Sequence, residues 1–245
     1  GLSQSAGGTL VDIAHQEGYF EDEELTVNRV GFANSADGLN ALQAGKVDVG
    51  VSFGTAGPLT FIANGSDFSI IGGHLEGGHP ILTKVENAGE YKSFEDYKGK
   101  KVGTIRIFTS DIVFRSALEE AGIDWEKDLE IIEFKTGSML LEAVASGKVD
   151  VAVSANSFYA QAVDMGLEAV AWSNDLQEGH VCCRVVTRSE LLEDEDGEAY
   201  KRFLKALIRA ERKKIEDPAS AVTAAKEYMK VDEEVIDTIV NEEHS

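Results

Sequence analysis

One stretch of this chain is written twice. Residues 32–52 read FANSADGLNALQAGKVDVGVS and residues 134–154 read FKTGSMLLEAVASGKVDVAVS, with ten identities in 21 positions and an ungapped offset of 102 residues. Each copy passes from a strand end into a helix, through a Gly-Lys turn, and into a strand written Val-Asp-Val-x-Val-Ser. An offset of 102 residues is too long for a solenoid, whose periods run about 20–50 residues. The duplication predicts two similar α/β lobes, which a length of 245 residues accommodates.

The remaining pattern agrees. Candidate strands are Leu25–Val30, Val47–Ser52, Phe68–Gly72, Ile81–Val85, Lys101–Ile105, Leu129–Phe134, Val149–Ser154, Ala169–Ser173 and Cys182–Thr187. Amphipathic stretches between them, Thr9–Glu17, Ala36–Ala44, Pro58–Ala63, Asp111–Ala121, Met139–Ala145 and Phe158–Met165, read as helices. The alternation predicts an α/β fold, each lobe a mostly parallel sheet flanked by helices. A helical tail follows the last strand, with segments near 200–215, Pro218–Met229 and Asp232–Val240, and the acidic run Glu193–Glu198 reads as a solvated loop.

Charge narrows the partners. Acidic residues number 44 against 23 basic ones, a formal net charge of −21, so nucleic acid is not expected. No apolar run approaches the ~18 residues of a membrane span. Gly1 opens directly onto a polar loop, so a signal segment is expected to have been removed before this numbering begins. Cys182 and Cys183 are adjacent, which strains a disulfide between them.

In two facing α/β lobes, ligands are expected where strands end and helices begin. The segments predicted there are small and polar: Ser3, Gln4, Ser5 and Thr9 before the first helix, Phe53, Gly54 and Thr55 after one duplicated strand, and Asn156 and Phe158 after the other. Arg106, Phe108, Thr109 and Ser110 follow the strand ending at Ile105, and His79 stands at a Gly-rich loop. Hydroxyls and free N–H groups at such ends suit an oxyanion; helix capping is the competing role of the Ser/Thr residues, and an outward-facing ion pair that of Arg106. Gly50-Val51-Ser52-Phe53-Gly54 matches a nucleophile elbow, with His180 or His244 available as a base. Against it, Ser154 repeats Ser52 without the flanking glycines. His74, His79, His180, Cys182 and Cys183 match no paired metal-ligand spacing, and no phosphate-binding glycine motif occurs. No metal or cofactor is expected.

His15-Gln16-Glu17-Gly18-Tyr19-Phe20, then Leu39-x-x-Leu42-x-x-Gly45-Lys46-Val47-Asp48-Val49, then Thr55-Ala56-Gly57-Pro58-Leu59 follow in an order and spacing that resembles the solute-binding proteins of nitrate/sulfonate/taurine-type ABC importers. That family also includes binders of thiamine-pyrimidine precursors. Lys98-Gly99-Lys100-Lys101-Val102-Gly103 and Cys182-Cys183-Arg184 fit its later segments. The resemblance implies a two-lobed type II periplasmic-binding-protein fold, with lobe one at 1–82 plus 183–245, lobe two at 83–182, and crossings near Pro80–Val85 and Cys182–Thr187. It also implies a strand leading into the Ser3-Gln4-Ser5 loop, of which this sequence contains Gly1-Leu2. The implied function is extracytoplasmic capture of a small, oxyanion-bearing solute by hinge closure, at the cell surface or in a periplasm. Its partners would be the ligand and a membrane permease, and the protein a monomer. The alternative is an enzyme on the same fold, pyrimidine synthase-like or a Ser52 hydrolase; the synthases carry a longer cysteine cluster than Cys182-Cys183.

Overall fold

The computed structural model describes residues 1–3, 8–193, 196–227 and 232–241. In chain order the elements are β1 (Leu2–Ser3), α1 (Thr9–Gln16), α2 (Tyr19–Asp22), β2 (Gly31–Phe32), α3 (Ser35–Gln43), β3 (Val49–Gly50), α4 (Ala56–Ala63), β4 (Phe68–Glu76), β5 (Pro80–Lys84), β6 (Lys101–Ile105), α5 (Thr109–Glu120), α6 (Trp125–Asp128), β7 (Glu130–Phe134), α7 (Gly137–Ala145), β8 (Val151–Val153), α8 (Tyr159–Asp164), β9 (Leu167–Trp172), α9 (Ser173–Leu176), β10 (Val181–Arg188), α10 (Asp196–Glu216), α11 (Ala219–Ala225) and α12 (Glu233–Asn241). The described residues divide into two compact units, Gly1–Leu75 with those between 183 and 241, and Glu76–Cys182. The first division falls earlier than the expected 82/83, because β5 makes all its strand pairings with β8 and β9 of the second unit.

The second unit holds a sheet of order β7-β6-β8-β5-β9. β6 runs parallel to β7 and β8, whereas β5 is antiparallel to both its neighbours, so the sheet is mixed rather than mostly parallel. Two apolar clusters fill its faces: Val102, Phe114, Leu118 and Ile123 on one, Leu82, Leu140, Leu141 and Val149 on the other. In the first unit β1 pairs parallel with β2, and β10 lies between β3 and β4. Gly1 joins the two groups: its carbonyl accepts from Val51 N–H at 3.1 Å and its nitrogen donates to the Val49 carbonyl. The resulting order, β2-β1-β3-β10-β4, matches the second unit strand for strand. β10 crosses β3 antiparallel, as β5 crosses β8.

The duplicated segments lie one in each unit, and the match extends to single hydrogen bonds. Asn34 caps α3 by accepting from Asp37 N–H, and Thr136, its partner in the repeat, caps α7 by accepting from Met139 N–H. Both helices end on a left-handed glycine, Gly45 (φ 69°) and Gly147 (φ 74°). The next residues close the same turn, Lys46 N–H to Ala41 carbonyl at 2.9 Å and Lys148 N–H to Ala143 carbonyl at 2.8 Å, the Schellman arrangement. Thr187 of β10 donates to the Asp48 carbonyl at 2.7 Å and Thr83 of β5 to the Asp150 carbonyl at 2.8 Å. Arg188 then donates to the carbonyls of Leu42 and Val47 at 2.8 and 2.9 Å, tying off the α3 turn.

The expected strand Leu25–Val30 is not one: the ladder covers only Gly31–Phe32, with one further bond from Leu2 N–H to the Val30 carbonyl at 2.9 Å. The cause is partner length, since β1 offers two residues where β6 offers five to β7. Of the run 193–198, Asp196–Glu198 belong to the first turn of α10 rather than a loop, and residues 194–195 lie outside the described residues. α10 packs on α1 and α2, with Phe203 stacked on Phe20 at 5.4 Å and Arg209 paired to Asp22 at 2.7 Å.

Core packing differs between the copies in a compensated way. Gly38 in α3 stands where α7 has Leu140, and Phe53 after β3 stands where β8 is followed by Ala155. A Cβ on Gly38 would lie 2.1 Å from Phe53 Cζ. The Phe53 ring therefore fills the space that a leucine fills in the second unit. Gly38→Leu alone should destabilise by about 1–3 kcal/mol through overpacking, and Phe53→Ala alone by about 3–5 kcal/mol through a cavity. Urea denaturation should find the double variant less destabilised than Phe53→Ala; strictly additive losses would show that the two sites do not share one space. By the same method Arg188→Ala should cost about 1.5–3 kcal/mol, because the Leu42 carbonyl at the helix end and the Val47 carbonyl past the turn lose a charged donor, whereas Glu190→Ala, an exposed partner, should cost under about 1 kcal/mol.

Candidate functional site

In the second unit, the C-terminal ends of β6 and β8 and the N-terminal end of β5 form one sheet edge, followed there by the start of α5. Five polar side chains collect at this edge. Ser154 follows β8 and is fully buried, its N–H bound to the Pro80 carbonyl at 3.0 Å. Beside Pro80 sits His79, 7% exposed, its ring 5.8 Å from that of His180. His180 accepts from Gly77 N–H through Nδ1 at 3.1 Å. Thr109, the first residue of α5, donates to the Cys182 carbonyl at 3.1 Å, and Ser110 next to it is 2% exposed. The Ser110 and Ser154 hydroxyls, both ring nitrogens of His79 and Nε2 of His180 are buried with no hydrogen-bond partner among the described residues. Buried polar groups are ordinarily paired.

Electrostatics keep this edge neutral. Burial, then the neighbouring His180, carry the His79 pKa down to about 3. Burial also lowers His180, opposed by Glu76. Each neutral imidazole presents one donor and one acceptor. Asp111 in the first turn of α5 accepts from Arg115 Nε at 2.8 Å, so that carboxylate is matched within its own helix. Arg106 is exposed and Ile107 beside it has a positive φ of 59°, a strained geometry for a β-branched residue. Phe108 is half-buried against the cluster containing Leu82 and Leu140. Phe158 packs on Gly137, where a Cβ would lie 2.3 Å from its ring. Asn156 opens a short 3₁₀ turn.

The first unit presents the matching edge after β1 and β3. Ser3 ends β1 and Thr9 opens α1, 4% exposed; Gln4 and Ser5 lie outside the described residues. Gly54, at φ 73°, accepts from Arg184 N–H at 3.3 Å, and Thr55 precedes α4 without a capping bond. Phe53, expected to line the site, is instead a core residue with 0% exposure, closed over by Gly38 and Gly50. The same contact accounts for one glycine of the nucleophile-elbow pattern: a Cβ on Gly50 would lie 2.6 Å from Phe53 Cδ2. The two cysteines are buried and unbridged. A 540 Å³ groove in this unit, lined by Gly1, Leu2, residues 25–30 and 46–49 and Phe203, lies at the other end of the strands.

The structure thus brings His79, Thr109 and Ser110 together and adds Ser154 and His180 to them. Ser154 carried a signal, as the repeat partner of Ser52. Arg184 was missed as a candidate; its signal was the Gly72-Gly73 pair on the adjacent strand.

The NMT1/THI5 like family profile matches residues 9–221. A candidate binding protein of Brucella abortus is 27% identical over 240 residues, covering 95% of this chain and 71% of its own. The 4-amino-5-hydroxymethyl-2-methylpyrimidine phosphate synthase of Candida albicans is 24% identical over 212 residues, 82% of this chain and 61% of its own. Among solved structures, the periplasmic aliphatic sulphonate binding protein SsuA of Escherichia coli aligns with a TM-score of 0.82 at 21% identity, covering 98% of this chain and 81% of that one. The family profile spans most of the chain, and the chain belongs to the NMT1/THI5-like family.

Proposed function

We propose that this protein is the extracytoplasmic binding component of an ABC importer, capturing a small, oxyanion-bearing organic solute and closing its two units about it. The carrying observation is the set of buried, unpartnered polar groups at one sheet edge: Ser110, Ser154 and His79. Such groups lower stability unless something repays them, and a bound solute does so. A membrane permease is the expected partner, and the protein acts as a monomer. An enzyme of the pyrimidine-synthase kind is the second reading, favoured by the Candida albicans likeness; turnover of a pyrimidine precursor would establish it in place of capture.

A thermal-shift screen of aliphatic sulfonates, taurine, nitrate, carboxylates and pyrimidines tests the proposal. A solute at 100 times its Kd should stabilise the protein by about 2.7 kcal/mol, and a screen with no shift counts against capture. Ser110→Ala and Ser154→Ala should weaken the solute so identified by roughly three- to tenfold, while leaving the free protein's melting temperature unchanged or higher. A loss of stability without loss of affinity would make the hydroxyls structural.

His79 gives a pH signature. Its folded pKa, about 3, lies below the ordinary histidine value of 6.5, so between those values the unfolded chain binds the extra proton. The contribution is therefore full above about pH 6.5 and is lost as pH falls towards 3. Replacing it, as His79→Gln, should reduce the slope of unfolding free energy against pH in that window by up to about 1.4 kcal/mol per unit. Equal slopes would mean that the ring is accessible to protons in the folded state.

A further inference from the structure

Among the described residues, Arg184 is the half-buried arginine that has no acid. Arg29, Arg115, Arg188, Arg202 and Arg209 are also half-buried, and each has a carboxylate within 4 Å: Asp12, Asp111, Glu190, Glu24 and Asp22 in turn. Arg106 and Arg212 are exposed and need none. In a chain with 44 acidic residues against 23 basic ones, a carboxylate for Arg184 would be easy to supply. Its guanidinium has no ion-pair or hydrogen-bond partner among the described residues.

The fold makes room for this side chain. A Cβ added to Gly73 of β4 would lie 2.8 Å from Arg184 Nη1 and 3.5 Å from its Cδ. The arginine therefore lies across bare backbone, and any side chain at residue 73 would push it away. Gly73 is outside the left-handed region, so no backbone conformation demands a glycine there. Arg184 is anchored by its N–H to the Gly54 carbonyl at 3.3 Å, which sets it beside the turn into α4.

We infer that Arg184 is the charge anchor for the solute, pairing its guanidinium with a single carboxylate-, nitrate- or sulfonate-like group, and that Gly73 is the cradle that positions it. The inference rests on the binding-protein reading and adds to it the residue that selects charge. A planar guanidinium offers two parallel donors to such a group, which an ammonium cannot.

Calorimetric titration of the wild type, Arg184→Ala, Arg184→Lys and Gly73→Val with propane-1-sulfonate, propionate, nitrate and neutral 4-amino-5-hydroxymethyl-2-methylpyrimidine is the test, with melting temperatures confirming that each variant folds. At least one oxyanion should bind the wild type and weaken tenfold or more in Arg184→Ala and in Gly73→Val, with partial recovery in Arg184→Lys. Gly73→Val keeps the charge and moves it, a change that a purely long-range field would not register. Undiminished oxyanion binding in Arg184→Ala overturns the inference. Binding of the neutral pyrimidine alone overturns it too, yet leaves the capture function standing. No binding of any probe overturns the inference and counts against capture as well.

Discussion

One left-handed glycine turn, used twice, sets the geometry on which both units depend. Gly45 and Gly147 end α3 and α7 and fix the distance from helix to strand. With that distance fixed, β3 and β8 enter the sheet in one register and deliver Ser52 and Ser154 to its edge. The crossing strands then lock the turn from outside, through Thr187 onto the Asp48 carbonyl and Thr83 onto the Asp150 carbonyl. A residue with a Cβ at either glycine would strain the turn and shift every group at the edge that follows.

The two copies share a frame but not a filling. Where α3 has Gly38, Phe53 must come inward; where α7 has Leu140, Ala155 suffices. A ring drawn into the core leaves the first unit's edge to Gly54, Thr55 and Arg184. In the second unit the core is already closed by Leu140, and the edge keeps buried hydroxyls and imidazoles. One edge therefore carries a half-buried cation and the other buried, neutral hydrogen-bonding groups.

The repeat, the alternation of strand and helix, and the glycines past helix ends were legible because they follow from local backbone chemistry. Lys101–Ile105 is a strand to the residue. Leu25–Val30 failed because strand formation needs a partner, and the partner's length is not written in the segment itself. Phe53 looked like a site residue because it follows a duplicated strand; its burial depends on an absent side chain at Gly38, distant in sequence. His79 and Ser110 were legible from their junction positions. Arg184 was not, since a single arginine in an apolar strand reads as a surface position until the neighbouring strand shows bare glycine beneath it.

Stability supplies the last step. Leaving a buried hydroxyl unpaired costs about 1–3 kcal/mol, and a domain's whole margin is about 5–15 kcal/mol. Ser110 and Ser154 together thus take a sizeable share of that margin in the free protein. Alanine at either position would fit the same space, so the hydroxyls are not required by packing. The cost is recovered when a partner satisfies them, and it is then recovered as affinity. A site built this way discriminates strongly, because a solute lacking the matching donor or acceptor buries the orphaned groups and repays nothing.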